Sequence, residues 1–191
     1  MVKALPWSDP TAFVETREEQ DLSGILIVDD HPVIARACGH VFESIGIENV
    51  IAAGDVESGF KAFIDHRPDL CVIDLTFHQA QFDGIALIRR IRSHEGTAKI
   101  LVFTMRSDRR SFLSAIEAGA TSYVMKDSPV HEFAKAVEET RSGRRYIDPQ
   151  FALNLAFAKN AALSPRDHQI LDMLLDENIS DATNGLDAWE A

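Results

Sequence analysis

Four short apolar runs in this 191-residue sequence each end on a polar side chain. The runs begin at residues 25, 70, 100 and 123, and the polar residues that follow them are Asp29 with Asp30, Asp74, Thr104 and Lys126. If the runs are buried parallel strands joined by helices, their C-terminal ends share one edge of a sheet, where open α/β folds bind ligands. The sequence therefore predicts that three carboxylates, one hydroxyl and one ammonium group converge there.

That set of side chains suits phosphoryl chemistry. Clustered carboxylates repel one another, and a divalent cation, here most plausibly magnesium, relieves the repulsion. With such a cation and Lys126 neutralising phosphoryl oxygens, a central carboxylate can attack phosphorus in line and hold the group as an acyl phosphate. Asp74 is the candidate nucleophile.

Each of these residues also has a plain structural explanation when it is considered alone. Lys126 could be a solvated loop cation, and Thr104 could be a β-former or a helix cap. The pair Asp29-Asp30 could cap a helix that starts at Pro32. Only the combination at matching strand ends favours a phosphoacceptor site.

Alternating apolar patterns predict the elements that position this site. Strands are expected near 25–29, 48–53, 70–74, 99–104 and 122–125, and helices near 32–45, 55–66, 83–95, 109–118 and 129–142. Apolar side chains at three- and four-residue steps, such as Ile34, Val41 and Ile45, give a helix one face for the sheet. Right-handed crossovers between such units predict an α/β fold with a doubly wound, five-stranded parallel sheet.

Composition excludes several other classes of protein. The chain is 46% hydrophobic, which is enough for a core. It has no apolar stretch of about 18 residues, and residues 1–23 lack the apolar core of a signal peptide, so we expect a cytoplasmic protein without membrane contact. Cys38 and Cys71 lie among apolar neighbours and are interpreted as reduced core thiols. Glycine-rich nucleotide-binding motifs, His-Glu-x-x-His and Cys-x-x-Cys are absent from the sequence.

A set of short motifs spans about residues 24 to 142. They are Val28-Asp29-Asp30-His31-Pro32, Asp74-Leu75, Asp83-Gly84, Thr104, Gly119-Ala120 and Lys126-Asp127. Together they resemble the receiver domain of two-component response regulators, in particular the NarL/FixJ type. The resemblance implies the flavodoxin-like receiver fold with strand order 2-1-3-4-5.

The resemblance also implies a role for the acidic residues. Asp74 would accept a phosphoryl group from a sensor histidine kinase or a histidine phosphotransfer protein. Asp30, Asp74 and the main-chain carbonyl of Thr76 would bind Mg²⁺ (or Mn²⁺), and Asp29 would act largely through metal-bound water.

The remaining site residues would bind the phosphoryl group and report its presence. By resemblance, Thr104 and Lys126 bind the phosphoryl oxygens, and Thr104 and Tyr123 form the switch. Tyr123 could instead be a half-buried strand aromatic with a solvated hydroxyl. The switch would change the surface formed by residues 109–142, which is a candidate face for a partner or a second copy.

The nearest enzymatic alternative is an aspartate-based phosphatase, which also attacks phosphorus with a strand-end carboxylate. Such enzymes typically need a second acid two residues after the nucleophile, and Thr76 occupies that position here. We therefore expect a phosphoacceptor with magnesium-dependent self-phosphorylation and slow self-dephosphorylation, and not an enzyme that turns over an external substrate.

The loop after Asp74 departs from the family pattern, because it is longer and lacks the usual Met-Pro pair. We expect the longer loop, residues 75–83, to shift the Thr76 carbonyl or to place His78 and Gln79 over the site. Taken alone, His78 is interpreted as a solvated loop residue and not as a ligand.

The C-terminal segment is the second departure. Residues 163–177 resemble the first helix of a LuxR-type helix-turn-helix, but a complete module needs two further helices and only 14 residues follow Glu177. Residues 161–191 contain one Arg against five Asp and two Glu, a net charge of −6, whereas phosphate contacts require cations. We predict an N-terminal extension (1–23), a receiver domain (24–142), a linker helix (143–162) and an incomplete helix-turn-helix segment with an acidic tail (163–191).

Two functions of different classes remain open. In the first, phosphorylation controls protein-protein contacts, including a possible homodimer or regulator partner bound through 109–142 or 150–177. In the second, the chain is a NarL/FixJ-type transcription regulator whose DNA-binding module is incomplete. The acidic C-terminal segment favours the first function and predicts no DNA-binding residues in this chain.

Overall fold

The computed structural model describes residues 24–78 and 83–157. The strands are β1 (Ile25–Val28), β2 (Val50–Ala53), β3 (Leu70–Ile73), β4 (Ile100–Thr104) and β5 (Ser122–Met125). The helices are α1 (Pro32–Ser44), α2 (Val56–His66), α3 (Gly84–His94), α4 (Arg109–Ala118), α5 (Val130–Arg141) and α6 (Pro149–Phe157). The predicted extension (1–23), the segment 163–191 and Gln79 lie outside the described residues.

The five strands form one parallel sheet in the order β2-β1-β3-β4-β5, which confirms the predicted fold class and strand order. Strands β1, β3, β4 and β5 are buried along their whole length, as expected for parallel strands that are covered on both faces. Val28 pairs with Ile73, and Thr104 pairs with Met125. The C-terminal ends of these strands are therefore level at one edge of the sheet.

Two apolar layers cover the faces of the sheet. Alternate residues of the strands pack with α1 and α5 on one face, where the Phe42 and Phe133 rings lie 5.7 Å apart. The other residues pack with α2, α3, α4 and α6, and this layer contains Leu87 and Phe112. Cys38 and Cys71 are buried free thiols, and burial raises the pKa of each to about 12. These two buried thiols confirm the interpretation of reduced core cysteines.

Local signals explain where the helices begin. Aspartate side chains accept a main-chain N–H at the first turn of three helices, with Asp55 for α2, Asp83 for α3 and Asp108 for α4. Helix α1 instead has Pro32 in its first turn. Because these signals are local, the predicted bounds of the ten receiver elements agree with the structure to within two residues.

The linker predicted as a helix over 143–162 is helical only from Pro149 in the described residues. Gly143 has a φ of 80° and ends the turn after α5, and Ile147 then makes a parallel bridge to Tyr123. Helix α6 follows and stacks the Phe151 ring on the Tyr123 ring, with centroids 5.1 Å apart. The first part of the linker thus extends the edge of the sheet because its chain reversal places it beside β5.

Among the described residues, none of the helices combines the length and the apolar character that a bilayer-spanning segment needs.

Candidate functional site

Three carboxylates meet at the C-terminal edge of the sheet, as the strand-end pattern predicts. Asp29 and Asp30 follow β1, and Asp74 follows the neighbouring β3. One ligand oxygen from each lies within 4.8 Å of the others. Asp29 and Asp74 are only 5% and 3% exposed, so their mutual repulsion is weakly screened by water.

Lys126 follows β5 and places its ammonium group between two of these carboxylates. Its Nζ lies 2.6 Å from Asp29 Oδ2 and 2.8 Å from Asp74 Oδ2. Burial by itself would lower the pKa of Lys126, but the hydrogen bonds to Asp29 and Asp74 outweigh it and raise the pKa above its usual value. The ammonium is therefore charged at neutral pH and compensates part of the negative charge.

Main-chain groups hold the two buried carboxylates in position. Asp74 Oδ1 accepts the N–H of Leu75 at 2.6 Å, while its Oδ2 accepts from Lys126. Asp29 Oδ1 accepts the N–H of His31 at 2.9 Å. The central carboxylate of Asp74 is thus oriented before any ligand arrives.

Arg106 connects three of the other predicted site residues. Thr104 is fully buried at the end of β4, and its hydroxyl accepts the N–H of Arg106 at 3.3 Å. The hydroxyl of Tyr123 donates to the Arg106 carbonyl at 2.7 Å, and Arg106 Nε donates to the Thr76 hydroxyl at 3.2 Å. Sequence reasoning missed Arg106 because a cation in a loop carries no distinguishing signal.

Tyr123 is fully buried, so the alternative of a half-buried ring with a solvated hydroxyl is wrong. Burial raises the pKa of Tyr123 well above its usual value. Its hydroxyl therefore remains a neutral donor to the main-chain carbonyl of Arg106.

For Thr76, the structure describes the contact of the side-chain hydroxyl with Arg106. The role of the Thr76 main-chain carbonyl as a metal ligand stays a prediction.

Two histidines contact Asp30, and neither was predicted to be a ligand, although the longer loop was expected either to shift the Thr76 carbonyl or to place His78 and Gln79 over the site. The main-chain N–H of His78 donates to Asp30 Oδ2 at 2.7 Å, and its ring Nδ1 lies 3.0 Å from the same oxygen. His31 Nδ1 lies 2.8 Å from Asp30 Oδ1. Burial alone would raise the pKa of Asp30, but the bonds from His78 lower it below its usual value. The long loop thus places His78 over the site while its side chain remains 68% exposed.

The donor atoms present fit a divalent cation of the hard, oxygen-binding kind. Asp30 Oδ1 is enclosed and has no hydrogen-bond partner among the described residues, since the nearby His31 Nδ1 lacks hydrogen-bond geometry. An enclosed carboxylate oxygen without a donor is stabilised by a cation. Asp30 and Asp74, with Asp29 beside them, are the residues that would hold it.

Comparison with known proteins identifies relatives along most of the chain. The family model described as the response regulator receiver domain matches residues 25–138. The methanol utilization control regulatory protein MoxX of Paracoccus denitrificans is 34% identical over 157 residues, which are 78% of this chain and 70% of that protein. The DNA-binding transcriptional activator DevR/DosR of Mycobacterium tuberculosis is 30% identical over 144 residues, or 75% of this chain and 65% of that protein.

Solved structures show the same fold. The crystal structure of a LuxR-family two-component response regulator from Aurantimonas sp. SI85-9A1 is 35% identical, with a TM-score of 0.67. The match covers 71% of this chain and 96% of that one. A CheY-like receiver domain from Methanospirillum hungatei, at 21% identity and a TM-score of 0.59, shares the fold over 63% of this chain and 94% of that one.

Proposed function

The chain belongs to the response regulator receiver domain family, with NarL/LuxR-type relatives, and we propose from this premise that Asp74 is its phosphoacceptor. The phosphoryl donor is a phosphohistidine of a sensor histidine kinase or a histidine phosphotransfer protein. The observation that carries the proposal is the ammonium of Lys126, which lies between Asp29 and Asp74 in a pocket that is almost closed to water.

The proposed transfer step uses the groups that surround Asp74. A carboxylate oxygen of Asp74 forms a bond to phosphorus while the bond from phosphorus to the donor's imidazole nitrogen breaks, and the electron pair stays on the imidazole. Lys126 Nζ moves its hydrogen bond from Asp74 Oδ2 to a phosphoryl oxygen, and the Thr104 hydroxyl donates to another. The Leu75 N–H holds the other carboxylate oxygen of Asp74 in place.

Asp30 and Asp74 are proposed to hold Mg²⁺ (or Mn²⁺), together with the Thr76 carbonyl and, through water, Asp29. A bound Mg²⁺ would neutralise phosphoryl oxygens that would otherwise be repelled by the carboxylates. Asp30 is fixed for this role by the His78 N–H. The site lacks a second acid two residues after Asp74, which supports slow self-dephosphorylation over turnover of an external substrate.

Phosphorylation is read out, in this proposal, through Thr104 and Tyr123. Thr104 leaves the Arg106 N–H to bind the phosphoryl group, and the loop that carries Arg106 also receives the Tyr123 hydroxyl. A change at Thr104 therefore reaches the surface of 109–142 through Arg106. That surface, together with 150–177, is the proposed contact for a regulator or a second copy.

Labelling with radioactive acetyl phosphate tests the phosphoacceptor. Asp74→Asn should abolish labelling, because the amide cannot form an acyl phosphate, whereas Asp69→Asn, at the opposite end of β3, should label like the wild type. The label on the wild type should be released by hydroxylamine. Labelling of Asp74→Asn at the wild-type rate would disprove the assignment.

The metal assignment has its own test. Asp30→Asn should slow labelling and weaken its dependence on Mg²⁺, since one charged ligand is lost. The rate is measured over a Mg²⁺ titration in both proteins. An unchanged rate and an unchanged Mg²⁺ dependence would contradict the role of Asp30.

Transcription regulation through DNA is the second candidate, favoured by the helix-turn-helix-like segment 163–177 and by the relative named as a DNA-binding activator. The net charge of −6 over residues 161–191 opposes phosphate contacts by this chain. A gel-shift assay at fixed salt, with and without acetyl phosphate, separates the two. A sequence-specific shift by this chain alone would favour DNA binding over protein contacts.

A further inference from the structure

Two imidazoles and one carboxylate converge beside the phosphoacceptor pocket. His31 precedes α1 and places Nδ1 2.8 Å from Asp30 Oδ1. His78, 48 positions after Asp30 in the loop that follows β3, places Nδ1 3.0 Å from Asp30 Oδ2. The three donor atoms lie within 4.8 Å of one another, although two separate segments of the chain supply them.

Main-chain hydrogen bonds hold the backbone of both histidines beside Asp29 and Asp30. The N–H of His31 donates to Asp29 Oδ1, and the N–H of His78 donates to Asp30 Oδ2. The rings meet edge to face, with centroids 4.8 Å apart. The backbone positions of His31 and His78 therefore bring the two rings together on the same side of Asp30.

The imidazole of His31 does not satisfy Asp30, because its Nδ1 makes its hydrogen bond with Asp29 Oδ1 at 3.2 Å. Asp30 Oδ1 is enclosed and without a hydrogen bond among the described residues, even though His31 Nδ1 is only 2.8 Å away. A cation bound between His31 Nδ1 and Asp30 Oδ1 would give that enclosed oxygen the partner it lacks.

The donor set indicates which class of cation this would be. Imidazole nitrogen suits Zn²⁺, Co²⁺, Ni²⁺ and Cu²⁺, whereas Mg²⁺ takes oxygen ligands. Bonds of about 2.1 Å in a tetrahedral site separate neighbouring ligand atoms by about 3.4 Å. The nitrogen–oxygen distances of 2.8 and 3.0 Å need only a small expansion to reach that spacing.

We propose that Asp30, His31 and His78 form a binding site for a transition-metal dication that prefers imidazole ligands. The site goes beyond the proposed phosphoryl transfer and shares only Asp30 with it. Because one carboxylate serves both, a metal bound to the histidines competes with Mg²⁺ for Asp30.

Cobalt is a suitable probe, since its visible ligand-field absorption reports the type and number of its ligands. The untagged 191-residue chain is titrated with Co²⁺ and, separately, with Mg²⁺ by calorimetry. His78→Ala and His31→Ala should each weaken Co²⁺ binding about tenfold or more relative to Mg²⁺ binding, because removal of even an indirect metal partner costs about 10–100-fold. His40→Ala, an exposed histidine on α1, should change neither affinity.

Two results would overturn the proposal. One is a ratio of Co²⁺ to Mg²⁺ affinity that His78→Ala leaves unchanged, and the other is a wild-type Co²⁺ spectrum that shows only oxygen ligands. The side chain of His78 is 68% exposed, so its replacement should leave the thermal unfolding midpoint unaltered.

Separate variants distinguish this proposal from the proposed function. Asp74→Asn should lose labelling by acetyl phosphate but keep the Co²⁺ spectrum. His78→Ala should lose Co²⁺ affinity, whereas His40→Ala, which is distant from both sites, should keep both Co²⁺ affinity and labelling in Mg²⁺. A spectrum lost in Asp74→Asn and retained in His78→Ala would place Co²⁺ in the carboxylate pocket and disprove the histidine site.

Discussion

At the scale of single residues, the site depends on an ammonium group held between two buried carboxylates. Lys126 is 6% exposed in its side chain, and it contacts both Asp29 and Asp74. Removing one member of a buried ion pair leaves an uncompensated charge. This loss destabilises the folded state far more than the intact pair stabilises it. In the proposed transfer, an arriving phosphoryl group would give Lys126 a stronger acceptor without leaving it unpaired, so its charge would be compensated both before and after transfer.

Gly84 is the residue whose small size allows α3 to approach Asp74, the proposed phosphoacceptor. A Cβ at this position would lie 2.0 Å from the Asp74 carbonyl oxygen and 2.8 Å from Leu75 Cα. Gly84→Ala must therefore move main chain at the site, and we expect a loss of about 1–3 kcal/mol in the free energy of unfolding together with slower labelling. Urea unfolding and the acetyl phosphate assay measure the two effects.

Gly39→Ala is the matched control, because a Cβ at Gly39 meets nothing within 4 Å. This glycine lies inside α1, where alanine should increase stability by about 0.5–1 kcal/mol. Its labelling should stay unchanged. If both glycine variants proved equally stable and equally active, close packing of α3 on Asp74 would not matter for the site.

The sequence made Asp29, Asp30, Asp74 and Lys126 predictable as neighbours, because their places at strand ends follow from apolar patterns. The contacts of His78 and Arg106 could not be predicted in the same way. Both residues lie in loops, where the backbone path is set by distant partners, as the 48-residue separation of Asp30 and His78 shows. A loop longer than the family pattern was the only sequence signal for His78.

At the scale of elements, α6 is part of the receiver core and covers Tyr123, the proposed switch residue. The Phe151 ring stacks on Tyr123 and meets the Phe112 ring edge to face at 5.5 Å. Arg109 in α4 donates to the main-chain carbonyl of Leu155. The sequence predicted a helix here, but which face it would bury depended on the turn at Gly143, and that turn placed α6 over β5.

Phe151→Ala should therefore destabilise the whole domain and not only α6. The ring is 2% exposed, and truncation of a buried phenylalanine costs about 3–5 kcal/mol. Leu153→Ala on the same helix is the control, since Leu153 is 51% exposed and should change stability by no more than about 0.5 kcal/mol. Equal denaturation midpoints for the two variants would show that α6 is not docked on Tyr123 in solution.

The capping aspartates give the helices a pH-dependent contribution to stability. The Ser58 N–H and hydroxyl donate to Asp55 and lower its pKa below the usual value. A lowered pKa in the folded state means that this stabilisation is complete above the unfolded pKa of about 3.9 and is lost as the pH falls through the folded value.

Asp55→Ala should accordingly cost about 0.5–2 kcal/mol at neutral pH and less in acid. Asp55→Asn keeps a capping acceptor without the charge, so its stability relative to the Ala variant should hardly vary with pH. Urea unfolding at neutral pH and near pH 3 measures both differences. If Asp55→Ala lost more unfolding free energy in acid than at neutral pH, the stabilisation by this cap would not depend on the negative charge of Asp55.

At the scale of the whole molecule, an acidic chain with a formal net charge of −11 gathers three carboxylates at one sheet edge. The parallel sheet enforces this arrangement, since its strand order brings the ends of β1 and β3 side by side. One sheet topology explains both the apolar runs and the polar residues that end them. The fold and the convergence of the carboxylates could therefore be predicted together. In the folded protein these three carboxylates therefore repel one another, and a bound cation would remove that repulsion.

Global stability should therefore depend on Mg²⁺. A ligand that binds only the folded state stabilises it by about 2.7 kcal/mol when its free concentration is 100 times its Kd. We expect Mg²⁺ to raise the thermal unfolding midpoint of the wild type and of Asp69→Asn, and to raise that of Asp30→Asn much less. The comparison uses the shift caused by Mg²⁺ within each protein, since Asp30→Asn also relieves repulsion by itself. Equal shifts in all three proteins would mean that the carboxylate pocket does not bind the cation that stabilises the fold.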